Sequence, residues 1–244
     1  MPHHSILRPV TALLLALAFG GSGCGGDDGD AGDAGTNGGG GSSGAGGGGG
    51  TTGYCGDATE SLVTGSGTPA NPAAPLTETP SAGSACGAVE REFAHEPPNH
   101  TPELCVEIDY STNPPCTGTH YGTWAAYRVY DEPIPRGFWV HGLEHGAVTL
   151  TYSCTDCEAE VAVAEALLAD VGPDPACVSR GQPTRRTLLA PDPRLDTRWA
   201  ASSWGFTLTA DCFEPEVFRA FIEAHRGHGL EDVCSDGLDV SEPP

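Results

Sequence analysis

Ten cysteines in a chain of 244 residues narrow what this sequence can fold into more than any other feature. They stand at Cys24, Cys55, Cys86, Cys105, Cys116, Cys154, Cys157, Cys177, Cys212 and Cys234. Thiols at this density persist as cross-links in an oxidising compartment, so the chain is expected to be exported and stapled. Spacing does not dictate connectivity. The expected pairings are Cys55 with Cys86, Cys212 with Cys234 around the last helix, and Cys177 with Cys154 or Cys157. If Cys24 is lipidated, an odd number remains, and Cys116 is the candidate odd thiol with Cys105 as its alternative partner. Cys154-Thr-Asp-Cys157 falls between a strand and a helix N-terminus, where a redox pair can sit; structural cross-linking is the preferred reading.

The beginning of the chain reads as an export signal. Arg8 gives it a positive end, and Val10 to Phe19 is an apolar run too short to span a bilayer. Small residues then lead to Cys24, as in lipoprotein processing, although Gly21 stands where a leucine is usual. The competing reading is ordinary cleavage nearby. This assigns residues 1–23 to a signal peptide and 24–53 to a lipidated cysteine followed by a disordered glycine-rich tether spanning roughly 30 Å. Residues 54–87 are expected to be an irregular Pro/Thr-rich segment, 88–234 a single folded domain and 235–244 a flexible tail.

Charge and composition exclude several functions. Eleven basic against 33 acidic residues give a formal net charge of -22. Nucleic acid is not an expected partner, because phosphate binding needs clustered Lys and Arg. All the basic residues are Arg, so lysine Schiff-base chemistry and a P-loop are ruled out. The one methionine is Met1, which excludes a thioether copper site. Neither a GxSxG elbow nor a strand-linked GxGxxG is present.

Hydrophobic period places the elements. Strands are expected at Leu104–Tyr110, Trp124–Tyr130, Phe138–His141, Ala147–Tyr152, Arg186–Ala190 and Ser203–Thr209. In the clearest of them, Val148, Leu150 and Tyr152 face one way and Thr149 and Thr151 the other. A helix is expected over Cys157–Asp170, with Asp156 as N-cap and Gly172-Pro173 ending it. A second follows Glu214-Pro215-Glu216, with Val217, Phe218, Phe221 and Ile222 as its apolar stripe. The expected fold is therefore α+β: a mostly antiparallel sheet with two helices on one face, stapled by disulfides.

The stretch Asp109–Tyr152 concentrates the candidate chemistry. It holds His120, His141 and His145 beside Glu144, Asn113 and Cys116. His141-Gly-Leu-Glu144-His145 spells HxxEH, the inverted zinc-protease motif, which needs a helix. Gly142 and Gly146 are poor helix residues, so at most one turn is expected there and a peptidase is disfavoured. In a straight strand the two histidines would stand roughly 13 Å apart. One helical turn brings them to roughly 6 Å, close enough to share an ion with His120. The competing reading is that these histidines hydrogen-bond backbone around a proline-rich turn. His95, His100 and His228 are weaker candidates, each read alone as a surface histidine.

The segments STNPPCTGTHY and VHGLEHGAVTLTY resemble the bacterial family catalogued as domain of unknown function 3105. Tyr110, Asn113, Pro114, Pro115, Gly118, His120, His141, Leu143, Glu144, His145, Gly146, Trp204, Gly205, His225 and Arg226 match its pattern, over Phe93–Glu231. Departures are Cys116 and Thr117 for a Thr-Ser pair, Thr119 for Pro, Gly142 for Asn and Leu230 for Pro. The resemblance brings no activity with it.

The functional expectation is a cell-envelope lipoprotein domain, held to the membrane through Cys24, with a histidine-centred site for a divalent metal such as Zn or Cu. The candidate ligands are His120, His141, His145, Glu144 and Cys116. Tyr110, Asn113, His100 and His225 complete the candidate site residues. The alternatives are an envelope metal-dependent hydrolase or thiol oxidoreductase, and a structural or interaction domain without metal.

Overall fold

The structure, a computed structural model, describes residues 53–242 and 244. The export signal, Cys24 and nearly all of the tether lie outside the described residues. Period-two alternation in β3 (Val148–Tyr152) sends Val148 and Leu150 into one apolar cluster, while Thr149 and Thr151 are buried on the opposite face. Its neighbours are β4 (Thr187–Pro191), which pairs parallel, and β5 (Trp199–Ser203), which pairs antiparallel. The hairpin from β5 to β6 (Phe206–Ala210) turns at Trp204-Gly205. The outer strands are β1 (Thr77–Pro80) and β2 (Val89–Glu92), giving the order β1-β2-β6-β5-β3-β4. Only the β3–β4 pair is parallel, so the chain is α+β with a mixed, mostly antiparallel sheet.

Five helices occur among the described residues: α1 (Ala58–Val63), α2 (Arg136–Glu144), α3 (Glu158–Val171), α4 (Pro175–Ser179) and α5 (Pro215–His225). Ala164, Leu167 and Leu168 of α3 and Phe218, Phe221 and Ile222 of α5 join Val148, Leu150, Trp199, Ala201 and Leu208 in one cluster. Burying each large side chain there contributes about 1.5–3 kcal/mol. Phe138, Trp139, Val140 and Leu143 of α2 join Leu188, Ala190, Tyr121, Tyr130 and Trp204 in a second cluster. Leu189 belongs to the first cluster and Leu188 and Ala190 to the second, so both faces of β4 are covered. No helix among the described residues is long and apolar enough to cross a membrane.

Several expectations give way. Phe138–His141 is helical, not a strand. An apolar run of that length fits either period, and burial of all nine residues of α2 overrides the glycines. Leu104–Tyr110 forms no strand: Leu104, Val106, Ile108 and Tyr110 pack on the second cluster without a ladder partner. Trp124–Tyr130 makes only isolated bridges, Ala125 with Leu238 and Val129 with Leu189. Residues 54–87, expected irregular, carry α1 and β1. In the expected tail, Val240 is buried and accepts the Tyr54 N–H at 3.1 Å. Asp156 does not cap α3; Cys157 holds that position and Asp156 pairs with Arg198 at 3.0 Å.

The disulfides are Cys55–Cys105, Cys86–Cys212, Cys154–Cys157 and Cys177–Cys234, and Cys116 is the one free cysteine among the described residues. The expected pairs Cys55–Cys86, Cys212–Cys234 and Cys177 with Cys154 or Cys157 do not form. Tertiary pairing decides the partners: the β2–β6 ladder continues to an Asp211 N–H bonded to the Cys86 carbonyl at 2.9 Å, which sets Cys86 beside Cys212. Four bridges in one domain fit an oxidising, exported environment.

Just before β4, the fully buried Arg186 gathers distant segments around its guanidinium. It lies 3.3 Å from Asp174 and 2.6 Å from Asp232, and donates to the His145 carbonyl at 3.2 Å. Cys177 and Cys234 Sγ each stand 3.0 Å from one of its nitrogens.

Candidate metal centre

Helix α2 presents His141 and Glu144 one turn apart on the same side, which is what an i, i+3 spacing gives. It ends because Gly146 takes φ +85°, a left-handed conformation that glycine adopts without strain. His120 comes from the proline-rich turn, whose Asn113–Pro114 bond is cis. Its N–H donates to the Asn99 carbonyl at 2.9 Å, and its carbonyl accepts from Thr101 at 2.8 Å. That parallel bridge brings His100 alongside, with ring centroids 4.9 Å apart.

One ligand atom from each of His100, His120, His141 and Glu144 lies within 4.8 Å of all the others. Nitrogen and oxygen donors sit about 2.0–2.2 Å from such an ion, hence at most about 4.4 Å from one another. Small side-chain adjustments therefore close the group on a metal. His120, His141 and Glu144 are buried, and His100 is exposed at the mouth.

The hydrogen bonds assign the lone pairs. His120 Nδ1 donates to the Gly118 carbonyl at 2.9 Å, and His141 Nδ1 donates to the Tyr121 carbonyl at 2.6 Å. A carbonyl can only accept, so in both neutral rings the proton is on Nδ1 and Nε2 carries the lone pair. His120 Nε2 stands 3.0 Å from Glu144 Oε2. Burial pushes the Glu144 carboxyl up to about 7, with Glu231 adding repulsion. Burial likewise pushes His120, His141 and His145 down to about 4. The pocket thus favours neutral imidazoles, the form that ligates.

A second group, Glu144, His145 and Glu231, also has its ligand atoms within 4.8 Å of one another. His145 Nε2 is 3.3 Å from Glu231 Oε2. The expected trio of His120, His141 and His145 is therefore divided: His145 belongs to the second group, and His100 takes its place in the first. Trp124 walls both, its ring 5.1 Å from His141 and 4.5 Å from His145.

The other sequence candidates lie elsewhere. Cys116 belongs to neither group, which corrects its expected role as a ligand. Its thiol is fully buried beside Thr112 at 3.6 Å, and burial pushes it up to about 12. A hydrophobic enclosure suits a small core residue and disfavours thiolate. Asn113 accepts from Arg136 at 2.8 Å and donates to the Arg194 carbonyl at 3.0 Å. Tyr110 packs on the second cluster, its hydroxyl without a partner. His225 faces Glu90 at 3.2 Å, with its ring tilted against Phe206 at 4.3 Å and Phe221 at 4.5 Å. Glu231 and Trp124 escaped the sequence reading, since neither lies in a motif. The Cys154–Cys157 bridge borders a separate pocket of about 530 Å³ that contains no histidine.

The family model described as "Protein of unknown function (DUF3105)" matches residues 103–236. The chain belongs to this family. The DUF3105 match encloses His120, His141, Glu144, His145 and Glu231, and begins just after His100. No curated protein and no solved structure matches the chain.

Proposed function

We propose that this DUF3105 domain binds a divalent transition metal through His100, His120, His141 and Glu144. The supporting observation is that backbone carbonyls hold Nδ1 of both His120 and His141, which puts the lone pair of each ring on Nε2, the nitrogen an ion would use. Such outer hydrogen bonds orient ligating histidines in metal sites generally. Three imidazoles and a carboxylate suit Zn or Cu, with Ni and Fe also compatible. A bound ion would supply Lewis acidity and lower the pKa of a water. The domain acts as a binding module; the hydrolase alternative requires turnover that depends on Glu144. Titration of metal-free protein with Zn and Cu tests this. Tight uptake that is lost in His120→Ala and His141→Ala is expected. Equal, weak uptake by all three proteins would overturn the reading and leave the histidines as structural hydrogen-bonders.

The same proposal places the domain in the cell envelope, leashed to a membrane by a lipid on Cys24. Its support is the apolar run and the small residues before Cys24. Cys24→Ser should release the protein from the membrane fraction of a host that processes lipoproteins; unchanged partitioning would count against the anchor.

A second reading, thiol–disulfide exchange at Cys154–Cys157, has one observation in its favour. On the chain-entropy scale a bridge of separation 3 stabilises by about 2 kcal/mol, against about 5 for Cys86–Cys212 with separation 126. Stapling therefore accounts poorly for the short bridge. Catalysed reduction of a disulfide substrate, abolished by Cys154→Ser, would support exchange; absence of turnover would leave the bridge structural.

A further inference from the structure

We infer that the centre holds two divalent ions, with Glu144 as the carboxylate they share and His145 and Glu231 as the protein ligands of the second. The inference rests on the metal reading above and deepens it.

Glu144 alone belongs to both groups of converging donors. A carboxylate has two oxygens, and a bridging carboxylate is a common way to hold two ions about 3.5–4 Å apart. His145 is the informative residue. It is 4% exposed, yet its Nδ1 has no hydrogen-bond partner. The other two buried histidines of the centre have Nδ1 anchored on carbonyls, so His145 is the one whose ring is not fully accounted for by the protein. Its Nε2 stands 3.3 Å from Glu231 Oε2, so the ring turns that nitrogen toward the second group. With Nδ1 held by no protein acceptor or donor, nothing fixes the proton on Nε2, whose lone pair can go to an ion.

The chain also delivers Glu231 by a specific backbone route. The Glu231 N–H donates to the Glu144 carbonyl at 2.9 Å. Two residues earlier, a Cβ on Gly229 would lie 2.1 Å from the Glu144 carbonyl oxygen and 2.3 Å from the Gly146 nitrogen. Only glycine passes there, and the crossing sets Glu231 over the end of α2. Arg186 fixes both sides of the second group, through the His145 carbonyl at 3.2 Å and Asp232 at 2.6 Å. An exposed carboxylate on an unconstrained loop would be unremarkable; this one is pinned on both sides next to a buried histidine whose Nε2 faces it.

The experiment is metal counting by native mass spectrometry on metal-free protein reloaded with Zn, with electron paramagnetic resonance on the Cu(II)-loaded form. Two ions per chain and a spin-coupled Cu pair are expected in the parent. Glu231→Gln should retain one ion and lose the coupling. Its backbone contact to Glu144 is unchanged, so it should fold; circular dichroism and an unaltered melting profile of the metal-free form check that. One ion per chain in the parent, unchanged by Glu231→Gln, would overturn the second site while leaving the first intact. Two uncoupled Cu ions would equally overturn it, because Glu144 would not be shared. No bound ion would overturn the metal reading itself.

Discussion

His120 Nε2 stands 3.0 Å from Glu144 Oε2 while the opposite nitrogen of the ring is committed to the Gly118 carbonyl. Two acceptors do not face one another at that distance unless something positive lies between them. In the metal-free protein a proton on Glu144 can fill that place, since burial raises the carboxyl's affinity for it. A divalent ion would take the proton's place, so metal uptake by this pocket should release acid. Proton release can be followed in weakly buffered solution near pH 7, and uptake without release would contradict the pairing.

Acid should destabilise the metal-free domain. An unfolded histidine protonates near 6.5, whereas His120, His141 and His145 do so only near 4 when folded. Between those values the unfolded chain binds more protons, so their contribution is present above 6.5 and lost as pH falls. Glu144 works in the opposite sense: its folded value of about 7 lies above the usual 4.5, so its contribution is present below 4.5 and lost as pH rises through 7. Three groups outweigh one. Thermal melts in chelator at pH 7.5 and pH 5 should show the lower Tm at pH 5, with a smaller difference in His145→Gln. A higher Tm at pH 5 would contradict the assignment.

Gly229→Ala tests the loop crossing. A methyl group 2.1 Å from the Glu144 carbonyl oxygen forces backbone to move. A loss of about 1–3 kcal/mol is expected, as for overpacked sites generally. Glu231 should be displaced with it, so Zn content should fall further than for Gly56→Ala, whose added Cβ meets nothing within 4 Å. Equal metal content in the two variants would show that the crossing does not position Glu231.

The Cys116 thiol should be inert. It is fully buried and held in the neutral form by its surroundings. A thiol reagent should label it only after denaturation, and Cys116→Ala should leave Zn content unchanged. Rapid labelling of native protein would mean the thiol is accessible after all.

Cys86→Ser with Cys212→Ser removes the bridge of greatest separation, 126 residues. Denaturant unfolding should show a loss of about 4–5 kcal/mol, the chain-entropy value for a loop of that size. A loss under about 1 kcal/mol would indicate that the β2–β6 ladder holds the segment unaided.

What the sequence made legible follows from the range of the interactions involved. The strand at Val148–Tyr152 and the helices at Glu158–Val171 and Pro215–His225 announce themselves through local period, Gly172 and Pro215. Helix α2 did not, because Phe-Trp-Val-His carries no period and its burial is supplied by Tyr121, Tyr130 and Leu188 from elsewhere. The cysteine partners depend on strand pairing that spans more than a hundred residues, as between Cys86 and Cys212. At the site, His120, His141 and Glu144 were visible in two motifs. His100 joined through a single parallel bridge, and Glu231 through a loop crossing that only Gly229 permits. Neither contact leaves a local pattern.

The bridge Cys177–Cys234 has a consequence for the order of assembly. Glu231 and Asp232 sit just before Cys234, and Arg186 binds Asp232 beside both sulfurs. In a chain whose thiols are still reduced, His120, His141 and Glu144 can already meet, but the segment carrying Glu231 has no covalent hold on the rest. Until that bridge closes, only the Glu231 N–H to the Glu144 carbonyl and the Arg186–Asp232 pair hold the segment in place, so the position of Glu231 is coupled to the redox state of a disulfide it does not belong to.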